Sequence, residues 1–232
     1  MTAWRVTTWN ILGSHRPDLG EIATRVREQA PDALSLQEVR KGQVRVLAHE
    51  LGWRWSWARK HYPYTPLLWW RAEGIAILSP WAVSDPMSAS ISPGVSTWLY
   101  KHRVVMAATI TRRDGSLRLF NTHLASDNED QRIAQARRAA SRVSADPSPT
   151  IALTGDLNTT GESTVDVLRE FRTVGLVDPG GDSTNPSAVP YQRLDYVLLP
   201  DDATFVESIT PDGGDQWAQL SDHLPVTVTF EP

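Results

Sequence analysis

The sequence predicts a mixed α/β fold in which helices pack on a sheet that is at least partly antiparallel. Short apolar segments typical of strands alternate along the chain with segments that carry apolar residues at helical spacing. Asp114 and Gly115 lie between two strand-like runs, residues 104–110 and 117–120, and Asp-Gly in that position is a strong hairpin signal. Because the strands of a hairpin are antiparallel, an all-parallel fold is excluded.

Length and composition indicate one globular domain over residues 1–232. A chain of 232 residues buries about 70–75% of the surface that it exposes when unfolded, so its core needs no disulfide or metal. Hydrophobic residues make up 41% and charged residues 22% of the chain, which excludes disordered and fibrous proteins. The longest apolar run is too short to span a membrane. We expect a monomer and find no sign of a protein partner.

Charge and targeting signals narrow the class of protein further. The net charge of −4 argues against a protein that coats DNA, although not against an enzyme that degrades it. The sequence has no cysteine and no apolar signal segment after Met1, which favours the cytoplasm. A secreted protein whose leader had been removed would look the same.

Apolar spacing predicts the elements of the amino-terminal half in order. Strands are expected over residues 4–9 and 33–36, where the chain then reaches Asn10 and Glu38 respectively. Helices are expected over residues 19–30, which end at Pro31, and over residues 44–51, which end at Gly52. A buried strand is expected over residues 75–78. Trp53, Trp55 and Trp57 alternate, so on a strand they would share one face, which favours a core position.

The carboxy-terminal half continues the alternation. Ser126 and Glu129 have the spacing of a capping box that opens a helix over residues 127–144. Its arginines are expected on a solvated face: Arg132, Arg137, Arg138 and Arg142. Strands are predicted over residues 150–153, 194–199 and 226–230, and a helix over 163–171. Residues 178–193, rich in Gly, Pro, Ser and Asp, are expected to form a loop within the domain.

Polar residues of catalytic type lie at or beside the ends of these strands. They are Asn10, Glu38, His123, Asp156, Asn158, Asp195, Asp222 and His223. Each alone is weak evidence, since Asn10 could be a turn residue, Glu38 a solvated loop carboxylate and Asp156 part of an Asx turn. Strands that end at one sheet edge would bring all of them together, which favours a functional site.

The segments that carry these residues resemble the endonuclease/exonuclease/phosphatase superfamily, which has the DNase I-like fold. The matching segments, in the family's order, are residues 8–10, 36–39, 74–79, 121–124, 155–160, 193–197 and 221–226. Any one is a common short sequence, but all of them in order are specific. The resemblance implies a four-layered α/β sandwich, with two packed, largely antiparallel mixed sheets flanked by helices, and a metal-dependent phosphoester hydrolase site at one edge.

A hard cation suits the residue types present. Magnesium takes one or two carboxylates, keeps several waters and shares phosphate oxygens of the substrate. Glu38 is the first candidate ligand, with Asp222 and Asn10 beside it, and Mn²⁺ is an acceptable substitute for Mg²⁺. The residues also lack the His and Cys clusters of a structural zinc site.

The resemblance implies a role for the remaining catalytic candidates. His223, oriented by Asp195, would be the general base or a phosphate-binding acid. Alternatively, Asp156 would orient or deprotonate the attacking water while the amide of Asn158 donates to a phosphate oxygen. His123 is a second histidine at a strand end, and some relatives pair a carboxylate at the position of Glu73 with that histidine.

Candidate substrate contacts precede two buried strands. Arg103 could clamp a phosphate or pair with a surface acid. Glu73 could equally be a solvated acid beside Arg71. The segment 59–71, with Trp69 and Trp70, could stack bases, enter a lipid headgroup layer or only cover the core.

These observations predict a magnesium-dependent phosphodiesterase, and a nuclease acting on DNA or RNA is the first candidate. The alternatives are a sphingomyelinase-like phospholipid hydrolase, a small-molecule phosphoesterase, and a catalytically silent binding module of the same fold. Abasic-site repair is disfavoured, because the chain has no clear counterpart of the tyrosine-bearing insert typical of those endonucleases.

Overall fold

A computed structural model of the protein describes residues 3–60, 70–92 and 102–232. Within these ranges the chain forms twelve strands and five α-helices, in the order expected for alternating elements. The helices are α1 (Leu19–Gln29), α2 (Lys41–Leu51), α3 (Glu129–Ser144), α4 (Ser163–Arg172) and α5 (Asp215–Ala218), and Gly13–His15 form a short 3₁₀ turn.

The described strands form two six-stranded mixed sheets. In order across the first sheet they are β11 (Thr204–Ile209), β12 (Val226–Glu231), β1 (Trp4–Asn10), β2 (Ala33–Arg40), β4 (Glu73–Ser79) and β3 (Arg54–Arg59). In order across the second they are β5 (Ala82–Ser90), β6 (Val104–Arg112), β7 (Gly115–His123), β8 (Ile151–Asp156), β10 (Asp195–Pro200) and β9 (Leu176–Val177). The pairs β1–β2 and β7–β8 are parallel, and the other neighbours are antiparallel.

Apolar side chains pack the sheets and helices into four layers. Val6 and Ile75 of the first sheet meet Met106 and Val197 of the second in a fully buried cluster. Helices α1 and α2 cover the outer face of the first sheet, and α3 and α4 cover the outer face of the second. The structure therefore has the predicted four-layered α/β sandwich.

The predicted hairpin and helices are confirmed, with small changes at their ends. Strands β6 and β7 pair from Val105↔Thr122 to Arg112↔Gly115. Helix α1 begins after Asp18, whose side chain accepts from the backbone N–H groups of Gly20 and Glu21. Residues 178–193 form a loop that joins β9 to β10.

Two predictions about helix α3 are wrong. The helix is capped by Asn128, whose Oδ1 accepts from the Gln131 backbone N–H at 2.8 Å, and not by Ser126. Arg132 is buried rather than solvated, and its guanidinium donates to the carbonyls of Ala125 and Ser126 and to Ser163. Arg137, Arg138 and Arg142 are exposed as expected.

Trp55 and Trp57 lie on strand β3, and Trp53 immediately precedes it. Trp53, Trp55 and Trp57 pack together against the outer apolar cluster of the first sheet. Ala58, on the opposite face, belongs to the cluster between the two sheets. The face that β3 turns inward is therefore the face shared by Ala58 and Lys60.

The mixed topology brings many strand ends to one edge of the sandwich. Parallel strands β1 and β2 end there, and so do β7 and β8. Their antiparallel neighbours β4, β10 and β12 begin at the same edge. Because residues after one strand thus meet residues before the next, chain segments far apart in sequence converge on this edge. None of the helices in the described part of the chain has the length and hydropathy to cross a membrane.

Candidate active site

Asp195 and His223 form a buried hydrogen-bonded pair at this edge. Asp195 is the first residue of β10 and is opposite Asp156, the last residue of β8. The Nδ1 atom of His223 lies 2.8 Å from Oδ2 of Asp195, which also accepts from the Thr184 hydroxyl at 2.6 Å. This pairing places the hydrogen of the imidazole Nδ1 on the Asp195 side and leaves Nε2 of His223 3.9 Å from Asp156.

Electrostatics separate the proton affinities of His223 and Asp156. Burial lowers the pKa of the His223 ring, but the charges of Asp195 and Asp156 and the hydrogen bond to Asp195 raise it more, to about 10. Burial raises the pKa of the Asp156 carboxyl to about 6, although the charge of His223 acts in the opposite direction. At neutral pH His223 is therefore an imidazolium, and Asp156 is a carboxylate of raised basicity.

Asp156 is held in place by hydrogen bonds from Asn10 and from Asn158. The Asn10 side chain donates from Nδ2 to Oδ2 of Asp156 at 2.9 Å, and the backbone N–H of Asn158 donates to Oδ1 at 3.0 Å. The hydrogen bond from the Asn158 backbone closes an Asx turn, so the Asx turn considered in the sequence analysis is present at Asp156. The side-chain amide of Asn158 donates through Nδ2 to the Leu124 carbonyl at 3.1 Å, which leaves the second hydrogen of Nδ2 for another acceptor.

Gly155 makes the approach of β8 to β7 possible just before Asp156. It has a φ of 156°, and a Cβ there would collide with the backbone carbonyl oxygen of Thr122. A glycine is therefore required at this point of close contact between strands. The close approach of the two strands places Asp156 beside His123, with which it pairs in the register of β7 and β8.

Glu38 occupies a β-bulge, which directs its side chain into the site. The pairing of β2 with β4 shifts between Leu36 and Val39, and Glu38 has a φ of 53°. A non-glycine residue in the left-handed region costs free energy, and such strain is concentrated at functional sites. The side chain keeps 21% of its surface exposed, so its carboxylate can accept a ligand from solvent.

Oxygen atoms that suit a hard cation lie on two other segments at the same edge of the sandwich as Glu38. Asn10 accepts through Oδ1 from the Leu12 backbone N–H at 3.1 Å, which leaves a second lone pair on that oxygen. Asp222 is exposed. The hydroxyl of the neighbouring Ser221 donates to the backbone carbonyl of Asn10, which connects the segment before β12 to the end of β1. Carboxylate and amide oxygens of this kind fit Mg²⁺ or Mn²⁺.

Asp156, Asp195 and His223 form a second group with ligand-type atoms. These atoms lie within 4.8 Å of one another, a spacing that would suit a metal ion. However, Nδ1 of His223 is hydrogen-bonded to Oδ2 of Asp195, which also accepts from the Thr184 hydroxyl. An internally hydrogen-bonded cluster is therefore the better description of these three residues.

His123 contacts both carboxylates that face the site. Its Nε2 lies 3.6 Å from Oδ2 of Asp156 and 3.9 Å from Oε1 of Glu38. Its Nδ1 lies 3.2 Å from the Nζ of Lys60. Glu73 is half-buried at the start of β4, where burial and the charge of Glu38 raise its pKa.

Arg103 is buried in this cluster with an incompletely satisfied guanidinium. Its side chain is 3% exposed, and neither Nε nor Nη1 has a hydrogen-bond partner among residues 3–60, 70–92 and 102–232. Burial lowers the pKa of the group against the attraction of the site carboxylates, with Asp156 and Glu38 foremost. Unsatisfied buried donors of this kind are costly and are typical of a position that awaits an anionic ligand.

Lys60 is a site residue that our sequence interpretation missed. It is 5% exposed, and its backbone N–H donates to the Glu73 carbonyl at 2.9 Å. Burial and the charge of Arg103 lower the pKa of its ammonium to about 8. The alternation of the tryptophans on β3 was a usable signal, because it places Lys60 on the opposite, inward face.

The aromatic segment before β4 is described only in part. Trp70 is 56% exposed, three residues before Glu73. Arg59, at the end of β3, is exposed on the neighbouring strand. Trp69 lies outside the described residues.

Comparison with known proteins identifies the family to which this architecture belongs. The model of the endonuclease/exonuclease/phosphatase family matches residues 7–223. A search of curated proteins found no match.

Solved structures with similar folds cover this chain from end to end. A Bacteroides vulgatus endonuclease/exonuclease/phosphatase is 19% identical, with a TM-score of 0.78 over 100% of this chain and 99% of its own. TDP2 of D. rerio, solved with a single-strand DNA product, is 18% identical, with a TM-score of 0.76 over 100% of both chains. A mannosyl-6-phosphatase of Bacteroides thetaiotaomicron is 16% identical, with a TM-score of 0.73 over 98% of this chain and 99% of its own.

The family match extends over nearly the whole chain and includes strands of both sheets and the edge where the polar residues meet. The protein therefore belongs to the endonuclease/exonuclease/phosphatase family, whose members are phosphoesterase hydrolases.

Proposed function

We propose that this protein is a divalent-metal-dependent phosphodiesterase that cleaves its substrate by attack of water on phosphorus. The observation that carries the proposal is the position of Asp156, a buried carboxylate between two histidines. Its Oδ2 lies 3.6 Å from Nε2 of His123 and 3.9 Å from Nε2 of His223. A base flanked by two ring nitrogens, with metal-type oxygen ligands beside it, is suited to water-mediated cleavage of a phosphoester.

The proton affinities favour one assignment of roles. The imidazolium of His223, fixed by Asp195, would bind a phosphate oxygen or protonate the leaving oxygen. Asp156, with its pKa raised to about 6, would orient the water and accept its proton. Asn158 has a side-chain N–H available for a phosphate oxygen, and Arg103 has two nitrogens without a partner among the described residues.

Glu38, Asn10 and Asp222 would hold the metal ion in this proposal. Magnesium, for which Mn²⁺ could substitute, would polarise a phosphoryl oxygen and neutralise charge on the leaving group when bound. The protein's own contribution is the bulge at Glu38 and the hydrogen bonds of Asn10, which keep the oxygens in place before the substrate arrives.

Nucleic acid is the first candidate substrate. The exposed ring of Trp70, in the turn before β4, and the cation of Arg59, at the end of β3, could stack a base and bind a phosphate. The similarity to a TDP2 solved with a single-strand DNA product supports this choice. A small phosphoester is the second candidate, because Lys60 and Arg103 place two cations deep in the site and a similar structure is a mannosyl-6-phosphatase.

A substrate panel tests the proposal. Plasmid DNA, single-stranded DNA, RNA, sphingomyelin liposomes and a sugar phosphate would each be incubated with Mg²⁺, Mn²⁺ or Ca²⁺. We expect cleavage of a nucleic acid with Mg²⁺ or Mn²⁺, and loss of it in His223→Ala. Turnover of the sugar phosphate alone would favour the second candidate, and turnover of sphingomyelin alone would contradict both.

A further inference from the structure

Strand β2 interrupts the alternation of its side chains at Glu38. Leu34 and Leu36 belong to the apolar cluster on the outer face of the first sheet, so strict alternation would place Glu38 on that face and Val39 on the inner one. Instead, Val39 belongs to the outer cluster, and Oε1 of Glu38 lies 3.9 Å from Nε2 of His123 in the second sheet. Glu38 therefore faces the site because the bulge adds one residue to β2.

Asn121, on strand β7 of the second sheet, binds the last regular residue pair before this bulge. Leu36 and Ala76 are opposite each other in the register of β2 and β4, and the register shifts beyond them. Nδ2 of Asn121 donates to the backbone carbonyl of Leu36 at 3.1 Å and to that of Ala76 at 2.9 Å. One side chain thus uses both of its amide hydrogens to join β2 to β4 at the point where their ladder is interrupted.

Gln37 binds the same amide from within the bulge. Its Nε2 donates to Oδ1 of Asn121 at 2.8 Å and to the Thr8 hydroxyl at 3.0 Å. Both the oxygen and the nitrogen of the Asn121 amide are therefore bonded to the bulge or to the pair beside it. All three side chains are completely buried, so loss of one bond would leave its partner unsatisfied in the core.

The position of Asn121 on β7 excludes a direct role in the reaction. Leu117 and Leu119 lie in the cluster between the two sheets, and alternation continues this inward face to Asn121 and then to His123 at the site. Because Asn121 is completely buried beneath the site, it can act on a bound metal or substrate only through the strands that it binds.

We propose that Asn121 is a positioning residue, which stabilises the β2 bulge from the opposite sheet and so sets the direction of the Glu38 carboxylate. The left-handed φ of 53° at Glu38 costs free energy. Hydrogen bonds from one amide to both strands and to Gln37 offset that cost. The inference rests on the proposed function in one respect, namely that Glu38 holds the metal ion.

Binding of Mn²⁺ alone to the substrate-free protein tests the inference. Asn121→Leu keeps the size of the side chain and removes its amide. The Kd for Mn²⁺, measured from the electron paramagnetic resonance signal of the free ion, should rise about 10–100-fold, as is typical when a group that orients a metal ligand is lost. An unchanged Kd in Asn121→Leu would overturn the inference.

Ser35→Ala is the matched control for this measurement. Ser35 also takes part in a buried hydrogen bond between the two sheets, since it accepts from the Thr154 hydroxyl at 2.6 Å. It lies on β2 before the bulge, where the pairing with β4 is regular. Ser35→Ala should therefore leave the Kd for Mn²⁺ unchanged, and a rise equal to that in Asn121→Leu would overturn the inference.

Backbone ¹³C chemical shifts of Glu38 provide a readout that needs no metal, because these shifts depend on the backbone dihedral angles. In the wild-type protein they should be those of a residue in the left-handed region. In Asn121→Leu they should move towards the values of an extended strand residue, and unchanged shifts would contradict the proposed role.

Gln37→Met serves if Asn121→Leu does not fold. It removes the donor to Oδ1 of Asn121 and leaves the two bonds from Nδ2, so the Kd for Mn²⁺ should rise by less than in Asn121→Leu. A wild-type Kd in Gln37→Met would overturn the inference. If the wild-type protein binds no Mn²⁺, the metal site of the proposed function fails, while the chemical shifts of Glu38 still decide whether Asn121 holds the bulge.

Discussion

Nδ1 of His223 and Oδ2 of Asp195 are 2.8 Å apart, in a pair that is buried at the meeting point of the two sheets. The carboxylate fixes the orientation of the ring and favours its charged form. The same Oδ2 accepts from Thr184, so the carboxylate is itself held in place.

Replacement of Asp195 by asparagine tests the importance of this orientation. We expect Asp195→Asn to keep the fold and to lower kcat by about 10⁴-fold, the loss that the analogous change causes in a serine-protease triad. Asp178→Asn is the control, because Asp178 pairs with Arg193 on the loop side of β10 and should affect stability but not kcat. Near-native Tm with activity within a few-fold of wild type would remove Asp195 from the site.

The raised pKa of His223 predicts how stability depends on pH. The ring has an ordinary pKa of 6.5 and a folded-state pKa of about 10, so its stabilising charge is fully present below pH 6.5 and is lost as the pH rises towards 10. Lys60 acts in the opposite direction, because its lowered pKa of about 8 adds stability as the pH rises from there towards 10.5.

The contribution of His223 to the pH dependence of stability can be separated from that of Lys60 by comparing the Tm of wild type with that of a His223 variant. With EDTA present, the Tm difference between wild type and His223→Gln should narrow between about pH 7.5 and pH 10. A difference that stays constant or widens over this range would contradict the assigned protonation state.

Arg103 and Arg132 are two buried arginines that should respond in opposite ways to replacement by methionine. In the part of the chain that the structure describes, two nitrogens of Arg103 have no hydrogen-bond partner, so Arg103→Met should leave Tm unchanged or raise it while kcat/KM falls by about 10²-fold or more. Arg132 donates to three acceptors, so Arg132→Met should destabilise the protein by about 1–3 kcal/mol. A large drop in Tm for Arg103→Met would show that Arg103 is structural.

Sequence patterns were sufficient to predict the position of a site residue where a polar residue lies at one end of a strongly apolar strand. Asn10, Asp156 and Asp195 each adjoin such a strand, and the structure places all three at one edge. Burial of a cation is harder to predict, because it depends on partners from distant segments. Arg132 is buried by acceptors in the loop before α3 and at the start of α4, and Lys60 lies among carboxylates of three strands.

Edge strands were the other weak point of the sequence interpretation. Within the described ranges, strands β5 and β11 pair on one side only, and most of their residues are exposed. An exposed edge strand needs no regular alternation of apolar residues, so its sequence resembles that of a loop.

Replacement of Trp70 by alanine tests the proposal that the substrate is a nucleic acid. If its ring stacks a base, Trp70→Ala should raise KM for single-stranded DNA or RNA about tenfold, since one stacked base contributes about 1–3 kcal/mol. Hydrolysis of bis-p-nitrophenyl phosphate, which is too small to reach the ring, should be spared. Trp81→Ala is the control, because Trp81 is 40% exposed beyond the opposite end of β4. Unchanged KM for every nucleic acid would argue for the small-phosphoester candidate.

The Mg²⁺ dependence of a Glu38 variant tests the assignment of the metal site. Loss of one of few carboxylates weakens the binding of a hard cation, so Glu38→Gln should need a higher Mg²⁺ concentration for half-maximal activity. Saturating Mg²⁺ should restore part of the activity of Glu38→Gln and none of that of His223→Ala. Equal rescue of both variants, or of neither, would contradict the assigned roles.

The most direct measurement of metal-dependent phosphodiester hydrolysis is the turnover of bis-p-nitrophenyl phosphate by the wild-type protein with EDTA and after addition of Mg²⁺ or Mn²⁺. The account predicts release of p-nitrophenol that EDTA abolishes, that either cation restores, and that Asp156→Asn lacks. Turnover that persists in EDTA, or no turnover of this or any nucleic-acid substrate with either cation, would contradict it, and the second result would favour a binding module of the same fold.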